Sequence, residues 1–64
     1  MKANILKQLR DNGRIDTIEA KEIGISYKDL IIAITELMDD GYVIDYNQFG
    51  KKDYEFLLLG KLVK

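Results

Sequence analysis

With 64 residues, 47% of them apolar, the chain has room for one small domain and no second core. It contains no Cys and no His, which excludes disulfides, thiolate metal sites, a histidine general base and a thiol nucleophile. Ten basic residues against eleven acidic ones leave a net charge of −1, so any nucleic-acid role needs positive charge gathered on one surface.

The opening stretch, MKANILKQLRDNG, has too short an apolar run for a signal peptide. No later stretch is long enough to cross a bilayer, so a cytoplasmic protein is expected. Ile5, Leu6 and Leu9 recur at helical spacing among Lys2, Lys7 and Arg10, predicting a first helix over residues 3–12 that Gly13 stops. Arg14, Ile15 and Asp16 suffice only for a strand stub. Asp16 and Glu19 have the spacing of a capping box and start a short second helix over 17–22, with Ile18 and Ala20 turned inward.

The run Ile23-Gly24-Ile25-Ser26 is a tight turn, and Ser26 with Asp29 forms a second capping pair. Ile25 precedes the cap and Leu30 is the fourth helical residue, the two positions of a hydrophobic staple. A third helix over 27–40 follows, ended by Gly41. Two short helices joined by a Gly-containing turn make a helix-turn-helix pattern.

After Gly41 the apolar period changes to two. Residues 42–46 and 54–58 are rich in β-formers, and the polar segment 47–53 around Gly50 reads as the loop of a hairpin. Ile44 is expected to face the core with either Phe56 or Leu57, and Tyr46 to pair with Tyr54 across the strands. The chain as a whole (1–64) is thus expected to be one α+β domain of three helices and a C-terminal hairpin.

This order resembles the winged helix-turn-helix family over nearly the whole chain. The resemblance rests on EAKEIGIS (19–26), on Leu30, Ile34 and Leu37, and on DDGYVI (39–44). More narrowly, IGISYKDLIIAITELMDDGYVI is similar to the small YjcQ-type winged helix proteins of low-GC bacteria and their phages. Those relatives continue into a further helix where this sequence has LGKLVK, which leaves Leu59, Leu62 and Val63 without an obvious internal partner. The three either close the monomer core or join two copies into a homodimer. The resemblance implies that the third helix enters the major groove of double-stranded DNA and that the wing touches phosphates, as in a small transcriptional regulator.

At about 100° per residue, Leu30, Ile34, Leu37 and Met38 form the inward sector of the third helix, with Tyr27 inside it and Ile31 at its edge. The opposite face carries Lys28, Asp29, Ile32, Thr35, Glu36 and Asp39, one positive charge against three negative, a net of −2. Lys28 and Thr35 on that helix, and Lys51 and Lys52 in the hairpin loop, are the candidate DNA contacts. Lys21 and Arg14 are candidates to extend them into a basic strip. The acidic balance of the face, which phosphates would repel, favours a second role: a protein contact through Ile32 and Glu36, or through Leu59, Leu62 and Val63. A phage or mobile-element protein that captures a host factor fits that reading. No catalytic group, metal ligand set or cofactor loop is expected, and an enzyme is not.

Overall fold

The computed structural model describes residues 2–62. These form three helices, α1 (Lys2–Asn12), α2 (Thr17–Glu22) and α3 (Tyr27–Asp39), and three strands, β1 (Arg14–Asp16), β2 (Tyr42–Phe49) and β3 (Asp53–Lys61). The strands make one antiparallel sheet in the order β1-β3-β2. The architecture is therefore α+β, with the helices and the sheet closing around one core. No helix among the described residues is long and apolar enough to cross a membrane.

Both caps read from the sequence are formed. The Asp16 carboxylate accepts the Glu19 amide at 2.7 Å, and the Ser26 hydroxyl accepts the Asp29 amide at 3.2 Å. Each satisfies an amide that the first turn of a helix leaves without a partner. Ile25 and Leu30, the staple residues on either side of Ser26, are both buried. Gly24, at φ +82°, makes the reversal before that cap in a conformation only glycine adopts cheaply. Gly41 does the same after α3, which ends one residue earlier than expected, with Asp40 as its C-cap.

The core comprises Ile5 and Leu9 of α1, Ile15 of β1, Ala20 of α2, then Ile25, the α3 residues Leu30, Ala33, Ile34 and Leu37, and Phe56 of β3. Each large side chain taken fully out of water contributes roughly 1.5–3 kcal/mol. The inward face of α3 differs from its expected position. Ala33 is buried while Tyr27 and Met38 are each 46% exposed, because the hairpin stands off from α3 on that side and leaves a groove. Ile18, expected inside, is also half exposed, and Ala20 alone is the buried residue of α2.

The hairpin is longer than its composition suggests. Its strands pair from Tyr42↔Lys61 to Phe49↔Asp53, so the loop shrinks to residues 50–52, with Gly50 at φ +63°. Polar Asn47 and Gln48 are strand residues because backbone pairing, not side-chain preference, sets the length of an exposed ribbon. Ile44 lies opposite Leu58, which settles the register differently from either expected partner, and Phe56 opposes Ile15 of β1. A bulge between Val43 and Ile44 of the register leaves Leu59 as the extra residue, 66% exposed.

Side-chain hydrogen bonds tie the hairpin to the helices near both of its ends. Near its base, Tyr42 receives a hydrogen bond from Arg10 at 2.9 Å and lies under the Lys61 ammonium, 4.8 Å from the ring centroid. Near its tip, the Thr17 hydroxyl donates to Asp53 at 2.8 Å and accepts the Tyr54 amide at 3.2 Å.

Candidate nucleic-acid interface

Thr17 is the first residue of α2, so its bonds to Asp53 and Tyr54 bring the hairpin turn alongside the start of α3. A cleft of about 490 Å³ opens there, lined by Thr17, Lys21, Gly24, Ser26, Tyr27, Lys52 and Asp53. Lys21 of α2 and Lys52 of the hairpin turn thus share one surface with the N-terminal end of α3. Both are exposed. Helix N-termini carry partial positive charge, and two ammonium groups beside one add to it. Asp53 lines the same cleft and keeps its negative charge there, with one carboxylate oxygen accepting the Thr17 hydroxyl.

The residues singled out from the sequence fall into separate places. Lys28 is exposed in the first turn of α3, next to this cleft, while Thr35 lies further along and donates its hydroxyl proton to the Ile31 carbonyl at 2.8 Å. Lys51 is exposed in the hairpin turn, where its carbonyl accepts a bond from Gln48. Arg14 does not join a basic strip. Its guanidinium meets Glu55 at 2.6 Å, Asp16 at 2.8 Å and Glu19 at 3.3 Å. The hydrogen bond to Glu55, then the Asp16 contacts, raise its already high pKa against the effect of burial.

The outer face of α3 divides in two. On the α1 side, Asp29, Ile32, Ala33 and Glu36 line a shallow groove with Lys2. Ile32 is 46% exposed there. Lys2 also bonds Asp40 at 2.6 Å, which raises its own pKa and holds the Asp40 carboxyl below its ordinary value. That ion pair gives a structural reason for an acidic residue at the unfavourable end of a helix. On the hairpin side lies an apolar groove of about 320 Å³, bordered by Tyr27, Ile31, Thr35, Met38, Tyr46 and Tyr54. Tyr54 is central to it: its ring centroid is 5.9 Å from Tyr27 and 6.5 Å from Tyr46. Tyr46 is a diagonal neighbour of Tyr54, not its direct partner, since Tyr46 opposes Phe56 and Gln48 opposes Tyr54.

Leu59 and Leu62 are both about two-thirds exposed and do not close the monomer core. Val63 lies outside the described residues. Among the described residues no group of acidic side chains is arranged to hold a metal ion. Thr17 is not legible as a site residue in the sequence, because its place at the start of α2 carries no local signal of a partner thirty-six positions on.

Compared with protein-family models, curated proteins and solved structures, the chain matches none of them.

Proposed function

We propose that this chain is a small winged helix-turn-helix protein that binds double-stranded DNA, in the cytoplasm, as a transcriptional regulator of the phage-associated YjcQ type. In this reading α2 and α3 are the helix-turn-helix and the β2–β3 hairpin is the wing. One observation carries it: Lys21 and Lys52, from different elements, line the same cleft as the N-terminal end of α3. That arrangement suits a backbone phosphate held between helix and wing, with Lys28 and Lys51 flanking it. The acidic side chains Asp29 and Glu36 line the α1 side of α3, away from this cleft. They border a different groove from the two lysines, and Asp53 is the acidic side chain within this cleft.

The test is fluorescence anisotropy with mixed-sequence duplex DNA at low salt. Binding that the pair of substitutions Lys21→Glu and Lys52→Glu abolishes supports the reading. No binding by the unaltered protein at low salt ends it.

A second reading, a module that binds another protein, is favoured by Ile32, half exposed in the groove beside Lys2, Asp29 and Glu36. An apolar side chain ringed by charges of both signs is the composition of a protein contact. Ile32→Asp should then leave folding intact and abolish capture of the partner.

A further inference from the structure

β2 is an outer strand of the sheet, and among the described residues nothing pairs with its free edge. The direction of its backbone groups can be read from two bonds. The Leu58 amide bonds the Gly13 carbonyl at 3.0 Å, so the even-numbered residues of β3 turn toward β1 and its odd-numbered ones toward β2. On β2 it follows that Asp45 and Asn47 bond β3, while Ile44, Tyr46 and Gln48 aim their amides and carbonyls outward. The Tyr46 amide confirms this, because its hydrogen bond goes to the Asp45 side chain at 2.9 Å and not to β3. An edge of this kind is a template for another strand.

We infer that the free edge of β2 pairs with β2 of a second copy of this chain, antiparallel and centred on Tyr46. A two-fold axis through Tyr46 places each residue opposite one whose number adds to 92. Tyr46 then faces Tyr46 of the other copy as a pair exchanging both backbone bonds, and Ile44 faces Gln48 likewise. In the intervening pairs, whose side chains lie closer, Asp45 meets Asn47 and Val43 meets Phe49. This register matches the exposed groups to one another. Tyr46 is 64% exposed, Val43 38% and Phe49 36%. The carboxylate of Asp45, which now covers the Tyr46 amide, gains an amide partner in Asn47 when that amide is taken over.

Neighbouring registers lose this match. Centring the axis on Asp45 sets two carboxylates against each other, and centring it on Asn47 or Ile44 sets Asp45 against Phe49 or Val43. β2 also lacks the devices that block edge pairing: it holds no Lys, no Pro and only one charge, and the bulge of the ribbon lies on β3. The product is a continuous six-stranded sheet, in the order β1-β3-β2-β2-β3-β1. The pairing uses none of Thr17, Lys21, Ser26 or Lys52, so it stands or falls separately from DNA binding.

The experiment joins sedimentation over a concentration series with disulfide mapping, which the absence of native Cys makes unambiguous. Positions 45 and 47 are exposed, and a far-ultraviolet spectrum checks that each variant is folded. An equimolar mixture of Asp45→Cys and Asn47→Cys should give the mixed disulfide on mild oxidation, while either variant alone gives much less. Opposed strand residues fall within the Cα separation a disulfide needs. Tyr46→Lys, which opposes two ammonium groups at the centre, should weaken association about tenfold. A protein that stays monomeric at its highest soluble concentration overturns the inference. So does a dimer whose cysteines cross-link through Leu59→Cys or Leu62→Cys but not in the mixture of 45 and 47.

Discussion

The Thr17 hydroxyl lies 2.8 Å from the Asp53 carboxylate and joins the start of α2 to the second strand of the hairpin. The same oxygen accepts the Tyr54 amide, so one side chain satisfies two groups of β3 and sets where Lys52 stands relative to α3. Replacing Thr17 by Val keeps the shape and removes both bonds. Each is worth about 1 kcal/mol net, so thermal unfolding should show a loss of about 1–2 kcal/mol. DNA affinity should fall as well, measured by anisotropy at a temperature where the variant is folded. An unchanged melting temperature would mean the clamp contributes nothing.

Counterion release gives the lysines a separate signature. If Lys21 and Lys52 each neutralise a phosphate, Lys21→Ala and Lys52→Ala should each reduce the slope of log K against log salt by about 0.9. Lys61, stacked on Tyr42 at the opposite end of the hairpin, serves as the control. Lys61→Ala should leave the slope unchanged. Equal changes for all three would point to nonspecific attraction with no preferred face.

Leu37 and Met38 are adjacent in sequence and differ sharply in burial, at 0% and 46% exposed. Leu37→Ala should cost about 2–5 kcal/mol through lost burial and the cavity left behind. At roughly 0.05–0.15 kcal/mol per residue, that is a large part of the stability of so short a chain. Met38→Ala should cost less than about 1 kcal/mol, because solvent already reaches the groove it borders. Denaturant titration of both variants measures the difference, and similar midpoints would contradict the burial described.

Acid titration separates Asp16 from Glu19. Burial pushes both carboxyls up, but the Glu19 amide, the Glu19 side chain and Arg14 outweigh it and hold Asp16 below its ordinary 3.8. Glu19 is pushed above its ordinary 4.5, by burial and then by the hydrogen bond and charge of Asp16. A lowered native pKa contributes stability that is present above 3.8 and lost as pH falls through the native value of Asp16. A raised one works the other way, so stability is gained as pH falls through the native value of Glu19 toward 4.5. The pair therefore contributes most between these two ordinary values. Melting curves from about pH 7 to about pH 2 should show Glu19→Gln removing the gain above 4.5 and Asp16→Asn removing the loss below 3.8. Differences from the unaltered protein that do not vary with pH would refute the assignment.

Much of the local structure was legible in the residues themselves. Asp16 and Ser26 cap helices by bonding amides three positions on, Ile25 and Leu30 bracket one cap, and Gly24 and Gly41 supply turns at positive φ. These interactions span a few residues, so neighbours in sequence suffice to specify them. What sequence could not determine depends on distant chain segments meeting. The buried face of α3 turned toward Ala33, because the hairpin leaves Tyr27 and Met38 uncovered. Arg14, a candidate for the basic strip, is held by Asp16 and Glu19 nearby and by Glu55 of β3, and Lys21 and Lys52 line one cleft where Thr17 ties α2 to the hairpin. A side chain's charge is written in the sequence. Whether that charge is spent inside the fold or presented to a partner is settled by packing across thirty or more positions, where no local pattern records the outcome.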